Sequence, residues 1–341
     1  MKIKKFRNIT KIKSTWEHLY NSNPNVTPFQ SYESNYLYYK VFRYNKNRFY
    51  CSPVFFLAEE NSQIVIVPLI INNIKKIIYD FSSLSPIDYY DIITSPNVTH
   101  TFIKEVLESI FSIYSSYQIQ FSHINENSLI YKSIGHLNNK KEICVKINFT
   151  SNEYECYYAS LSKHMRQNLR TAYNRINKDN ISYHLKKYDL TIGNPDKEIW
   201  YKCQKMYEDR CDMKNNPKFA KIRNLIHRIG NPVNHIITQI TEHAIFILFF
   251  EDEPVAFLAG FYNSSKEIFY VPRLSGNNKF LRYNTGIVML NETIKLLLQE
   301  GIKVLDLTRG NEPYKYSMGG VEHYNISIDE SCKNILLKLK E

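Results

Sequence analysis

Two stretches carry the clearest hydrophobic patterning, and they carry the same one. Phe55 to Leu84 reads FFLAEENSQIVIVPLIINNIKKIIYDFSSL, and Ile247 to Leu274 reads ILFFEDEPVAFLAGFYNSSKEIFYVPRL. Apolar runs of strand length, broken first by acids and then by polar residues with Lys, predict three strands in each copy, the third carrying Tyr79 or Tyr270. An offset of about 191 residues separates the copies and persists beyond them. A helical pattern from Val98 to Tyr114 and a strand from Gln118 to Ser122 follow the first. After the second come a helix from Thr285 to Gln299, with Ile287, Leu290, Ile294 and Leu297 on one face and Gly301 as its stop, and a strand from Lys303 to Leu307. A hairpin, helix and strand repeated in order predicts an α/β chain of two related units. Each is an antiparallel meander leading into a helix and a further strand, with expected boundaries at 1–145 and 146–341.

Between the copies, LSKHMRQNLRTAYNRINK has Leu161, Met165, Leu169, Ala172 and Ile176 at spacings of four and three, so a helix is predicted with one apolar stripe and Ser160 or Ser162 as its cap. Lys163, Arg166 and Arg170 fall together on the opposite face, either as a solvated basic face or as a clamp for phosphate or carboxylate, groups that suit arginine forks. Charge supports an anionic partner for this region. Of the net +11, residues 161–230 supply +9, from 16 Lys and Arg against 7 Asp and Glu. A nucleotide, a phosphorylated carrier, tRNA or a lipid surface would fit.

Composition narrows the class. At 341 residues with 43% hydrophobic and 23% charged content, the chain has material for two cores. The basic start MKIKKFRNITKIK leads into no apolar segment of signal-peptide kind, and runs such as Ala244 to Phe250 are too short to span a bilayer. The six cysteines form no CxxC pair and have no His at ligand spacing, so reduced thiols in a cytoplasmic protein and no metal are expected.

The candidate chemistry lies in the second copy. VLDLTRGNEPYK, Val304 to Lys315, is a short apolar strand that releases Asp306, Arg309, Glu312, Tyr314 and Lys315 in succession, with Gly310 permitting a turn and Pro313 stiffening it. Just before the preceding helix, SGNNKFLRYNTG places Arg282, Asn284, Thr285 and Gly286 at a helix N-terminus, where amide N–H groups and the helix dipole suit a pyrophosphate. The corresponding stretch of the first copy, SPIDYYDIITSPNVTH, is acidic and lacks glycine, so that copy is expected to be degenerate.

Four stretches resemble the GNAT acyltransferases, and within them the BioF2-like and Fem-like tandem-GNAT group of polysaccharide and cell-envelope gene clusters. TPFQSYESNYLYYK (Thr27 to Lys40) resembles the family's opening, SPIDYYDII (Ser85 to Ile93) its acidic DY segment, SLSKHMRQNLRTAYNRI (Ser160 to Ile176) its basic signature, and DLTRGNEPYKYSMGG (Asp306 to Gly320) its DxxxGxEPYK motif. The resemblance implies transfer of an acetyl or other acyl group from a coenzyme A thioester to an amine. It also implies two central strands that splay apart, with the thioester carbonyl held near Val271, Arg273 and Leu274. The base would be Glu312 or Asp306, each alternatively an ion-pair partner of Arg309 or Lys315, and Tyr314 would protonate the leaving thiolate. Arg166, Arg170, Arg309 and Lys315 are candidates for holding anionic groups of a substrate. Arg282 is followed by Tyr-Asn-Thr-Gly, not by the family's pyrophosphate signature. This departure leaves a Fem-like use of aminoacyl-tRNA as an alternative to acetyl-CoA, and an inactive scaffold as a third. The implied acceptor is an amino sugar on a nucleotide or lipid carrier, the latter placing the protein at the inner membrane face; DNA is not an expected partner.

Overall fold

The computed structural model describes residues 1–24, 26–42, 49–81, 87–134, 139–214 and 242–340. Ser85 and Pro86 of the DY segment, His227, and the last part of the basic stretch, 215–230, lie outside them. The chain forms two compact α/β units, Met1–Cys144 with His323–Glu341, and Val145–Glu322.

In the first unit, β1 (Lys2–Phe6), α1 (Lys13–Ser22) and α2 (Tyr32–Phe42) precede the meander β2 (Cys51–Glu60), β3 (Gln63–Asn72) and β4 (Ile77–Asp80). Asn61 and Ser62 both take positive φ between β2 and β3, the pattern of a tight two-residue hairpin turn. A short β5 (Ile93–Thr94) pairs with β3, then α3 (His100–Ile113), β6 (Gln118–Asn125) and α4 (Leu129–Ile134) follow. β4 and β6 run parallel in the register Ile77↔Gln118, Ile78↔Ile119 and Tyr79↔Gln120. β7 (Asn139–Asn148) carries the chain into the second unit.

There, α5 (Tyr154–Ser160) and α6 (Lys163–Lys178) come first. The stripe Leu161, Met165, Leu169, Ala172 and Ile176 is buried as its spacing predicts, and the Ser162 side chain caps α6 by accepting from the Met165 N–H. After β8 (Tyr183–Asp189) and α7 (Lys197–Lys214) come the meander β9 (Ala244–Phe250), β10 (Glu253–Tyr262) and β11 (Ile268–Gly276), then α8 (Thr285–Gln299) and β12 (Val304–Arg309). The strand order is β12-β11-β10-β9-β8. Every residue of β9 is buried because both faces are covered. Ala244, Phe246, Leu248 and Phe250 join α6 and α8 in one core, and Ile245, Ile247 and Phe249 pack with Cys203 and Met206 of α7 on the other.

β11 and β12 run parallel in the register Ile268↔Val304, Phe269↔Leu305 and Tyr270↔Asp306. Tyr270 thus occupies the position of Tyr79, the third pair of each ladder, and the repeat is structural: two related α/β units in tandem. α9 (Pro313–Ser317) follows β12, and β13 (Val321–Ser331) and α10 (Cys332–Leu339) end the chain. Residues 325–331 of β13 pair antiparallel with β6, so the last segment from His323 belongs to the first unit, and the expected second unit of 146–341 ends instead at Glu322.

Candidate active site

The parallel ladder between β11 and β12 ends at Tyr270↔Asp306, although β11 continues to Gly276 and β12 to Arg309. From Val271 onward the two strands diverge. On the other side of β11, Ala259 pairs with Arg273 and Phe261 with Tyr270, so Gly260 faces two residues, Val271 and Pro272. This bulge tolerates Pro272, which has no N–H to give a central ladder. It also resets the side-chain alternation: Phe269, Val271 and Leu274 face the α6–α8 core, whereas the Arg273 guanidinium lies among α7 side chains and Ser275 donates to the Met206 carbonyl. Gly260 is required there, since a Cβ would stand 1.9 Å from the Tyr270 carbonyl oxygen.

The end of β11 meets the start of α8. A Cβ on Gly276 would lie 3.2 Å from Thr285 Oγ1 and 3.6 Å from the Gly286 nitrogen. Asn284, at φ +49°, makes the turn into the helix. Thr285 is buried, and the space a Gly286 side chain would take is empty. Amides of a first helical turn have no intrahelical acceptor, so those of Thr285 and Gly286 lie without one beside the end of β11. The Arg282 side chain has a partner of its own. Its guanidinium pairs with Asp179 at 3.2 Å beyond the end of α6, and Tyr283 donates to the same carboxylate at 2.7 Å.

The loop after β12 is built around one buried cation. Lys315 is 3% exposed, and its ammonium donates to the carbonyls of Leu307, Arg309 and Gly310 at 2.8, 2.7 and 3.1 Å and pairs with Glu312 at 3.1 Å. Expected to hold a substrate anion, it instead ties the loop to itself. Thr308 adopts φ +52°, a strained value for a β-branched residue. Asp306, 5% exposed, supports that conformation by accepting from the Thr308 N–H at 2.8 Å, and the Thr308 hydroxyl reaches the Val271 carbonyl at 3.3 Å across the divergence. Gly310, at φ +104°, leaves the room that Glu312 occupies: a Cβ there would sit 2.6 Å from Oε2.

Arg210 of α7 joins these parts. It donates to the Leu274 carbonyl on the diverging strand and pairs with Glu312 at 3.5 Å, and a hydrogen bond links it to Tyr314. Burial pushes the Tyr314 phenol above its ordinary range, with Arg210 opposing, so it is protonated at neutral pH.

Of the sequence-predicted residues, Asp306, Glu312, Tyr314 and Lys315 are therefore brought together with partly buried Arg309, and Val271, Leu274, Thr285 and Gly286 lie along the diverging strand and its helix. The Arg273 side chain is withdrawn. Buried at 3% exposure, its guanidinium is gripped by both oxygens of Glu242 and by Gln204. Arg166 is likewise spent, donating to the carbonyls of Ala159 and Leu161 at 2.7 and 2.6 Å, where it closes the end of α5. Arg170 remains exposed on α6. Sequence reasoning missed Arg210, Thr308 and the Val271–Pro272 bulge. Pro272 inside an apolar strand signals the bulge; the other two leave no local trace.

Residues 240–316, spanning β9 to α9, match the family described as an acetyltransferase (GNAT) domain. This part of the chain is similar to a GNAT domain. Its diverging strands and helix N-terminus are the features just described. No curated protein matches the sequence. Among solved structures, the C-terminal domain (DUF2156) of a putative lysylphosphatidylglycerol synthetase from Agrobacterium fabrum shares the fold over 98% of this chain and 96% of its own, with TM-score 0.53 and 8% identity. FemX aligns over 99% of both chains with TM-score 0.49 and 10% identity. A tandem GNAT protein from the clavulanic acid biosynthesis pathway aligns over 96% of this chain and 98% of its own, with TM-score 0.47 and 6% identity. Among the described residues, no helix is long and apolar enough to cross a membrane, and no cluster of three or more His, Cys, Asp or Glu is placed to hold a metal.

Proposed function

We propose that the GNAT-like domain is an N-acyltransferase that moves an acetyl or other acyl group from a coenzyme A thioester to an amine, with an amino sugar of a polysaccharide or cell-envelope precursor as the acceptor. The observation that carries this reading is the early end of the β11–β12 ladder, because an acyl donor must enter between two strands and meet backbone amides there. The opening faces Val271 to Leu274, and the Thr285 and Gly286 amides would seat the pyrophosphate at the α8 N-terminus. Glu312 is the better candidate base, since its carboxylate is more exposed than that of Asp306 and shares Arg210 with Tyr314 and the diverging strand. The amine nitrogen attacks the thioester carbon, losing its proton to Glu312; the C–S bond breaks, and the protonated Tyr314 phenol supplies the thiolate's proton.

An aminoacyl-tRNA donor is the second reading, favoured by exposed Lys163, Arg170, Arg175 and Lys178 on α6. Calorimetry separates the two. Micromolar binding of acetyl-CoA supports the first; no heat with acetyl-CoA together with salt-sensitive binding of aminoacyl-tRNA sinks it. Silence with both leaves a binding protein. Once turnover is measured, Glu312→Gln should lower kcat by about 100-fold or more at unchanged fold, and Asp306→Asn should act mainly on stability. Full activity of Glu312→Gln removes it as the base.

A further inference from the structure

One end of the first unit carries exposed apolar side chains and cations, far along the sheet from the DY segment. Cys51 pairs with Asn72 and Ile77 with Gln118, so the start of β2, the end of β3 and the start of β4 share this end. Phe6 pairs with Phe55, which brings Arg7 to the same place. Tyr90 of the DY segment bridges Ile124, at the opposite end of β6. A cavity of about 700 Å³ opens here, lined among others by Arg7, Tyr36, Tyr39, Lys40, Phe49 and Cys51, with no Asp or Glu among the described residues of its wall. Lys40 Nζ sits 4.8 Å from the centre of the Tyr36 ring, and among the described residues neither it nor Arg7 makes an ion pair.

Beside the cavity, Phe49 is 79% exposed and Ile74, at the tip of the β3–β4 turn, is 76% exposed. That turn is a fixed projection: Asn72 Oδ1 accepts from the N–H groups of Ile74 and Lys75 at 3.1 and 2.9 Å. Lys75 and Lys76, both exposed, flank Ile74. Asp80 at the far end of β4 is buried, and Asp329 and Glu330 lie two strands from β4, on β13 beyond β6, where Gln118 donates to Asp329.

We propose that this end of the first unit docks onto a bilayer containing anionic lipid, with Phe49 and Ile74 entering the interface and Arg7, Lys40, Lys75 and Lys76 meeting headgroup phosphates. Charge complementarity selects this occupant. Two exposed apolar side chains at the same end of the sheet as four cations match a surface that is negative outside and apolar a few ångströms in, and each cation near such a surface strengthens binding severalfold. The inference is independent of the acyl-transfer reading.

Sedimentation of the full chain with vesicles tests it. The protein should pellet with 70:30 phosphatidylcholine:phosphatidylglycerol vesicles, stay in solution with pure phosphatidylcholine, and be released by 0.5 M NaCl. Arg7→Gln with Lys40→Gln should lower the partition coefficient by about tenfold or more, and Phe49→Ser with Ile74→Ser should do so at unchanged charge. A Phe49→Trp chain should show a blue-shifted emission on the anionic vesicles, a readout that stands even where a double variant folds poorly. Failure to bind, equal binding to both vesicles, binding indifferent to both double variants, or unshifted emission from vesicle-bound Phe49→Trp overturns the proposal. So does release by millimolar inorganic phosphate at constant ionic strength, which would make the cavity a site for a free anion.

Discussion

At the scale of single residues, the site is governed by charges that the chain satisfies internally. The Lys315 ammonium would be costly at 3% exposure were it not surrounded by backbone carbonyls and Glu312. Lys315→Met leaves those carbonyls without a donor and Glu312 with one fewer cation, so it should cost about 3 kcal/mol in urea unfolding. A loss below about 0.5 kcal/mol would mean that the loop holds its shape without the cation. Asp91 in the first unit titrates in the opposite sense to most carboxylates. Burial raises it to about 6, against the hydrogen bonds it accepts from the amides of Leu129, Ile130 and Ile92. The folded state then binds a proton more readily than the unfolded chain, so this group's contribution is full below about pH 4 and is lost as pH rises through 6. The wild type should gain stability relative to Asp91→Asn as pH falls from 7 to 4, by at most about 1.4 kcal/mol per pH unit. Thermal melts of both proteins across that range give the sign, and a wild type that loses ground on acidification contradicts it.

At the scale of elements, the divergence of β11 from β12 depends on a bulge that only a glycine on β10 allows. Gly260→Ala would drive a Cβ to within 1.9 Å of the Tyr270 carbonyl, and backbone cannot yield as a side-chain end can. We expect a loss of about 2 kcal/mol or more and at least tenfold weaker acetyl-CoA binding, while Gly286→Ala, which meets nothing within 4 Å, should leave stability within about 1 kcal/mol. Equal effects of the two substitutions would show that the bulge does not shape the opening. These elements differ in how far the sequence reveals them. The meanders and α8 are legible because period-2 and period-3.6 patterns are local, and α8 begins and ends where Thr285 and Gly301 place it. The stripe of α6 is legible for the same reason. The fate of its basic face is not: Arg166 finds its carbonyls only once α5 packs beside it. Arg273 is withdrawn by Glu242, 31 residues earlier in the chain, and the strained φ of Thr308 is imposed by its surroundings against its own preference. Each miss is a contact made only when the chain packs, overriding a local reading.

At the scale of the whole molecule, the repeat locates the two units but hides that the chain's end serves the first. Residues 325–331 of β13 complete the edge of β6, the Cys332 N–H donates to the Tyr117 carbonyl, and Ile326, Ile328, Cys332, Ile335 and Leu339 are buried. Burying side chains of this size contributes roughly 1.5–3 kcal/mol each, so together they rival the 5–15 kcal/mol by which a domain is typically stable. Deleting residues 323–341 would also bare β6 as a new sheet edge. Hydrogen exchange on such a chain should therefore show β2, β3 and β6 losing protection, while β9 to β12 keep theirs. Had the second unit extended to the last residue, as the repeat alone suggests, the loss would fall on β9 to β12 instead. The measurement thus decides between a division of the chain by sequence repeat and one by packing.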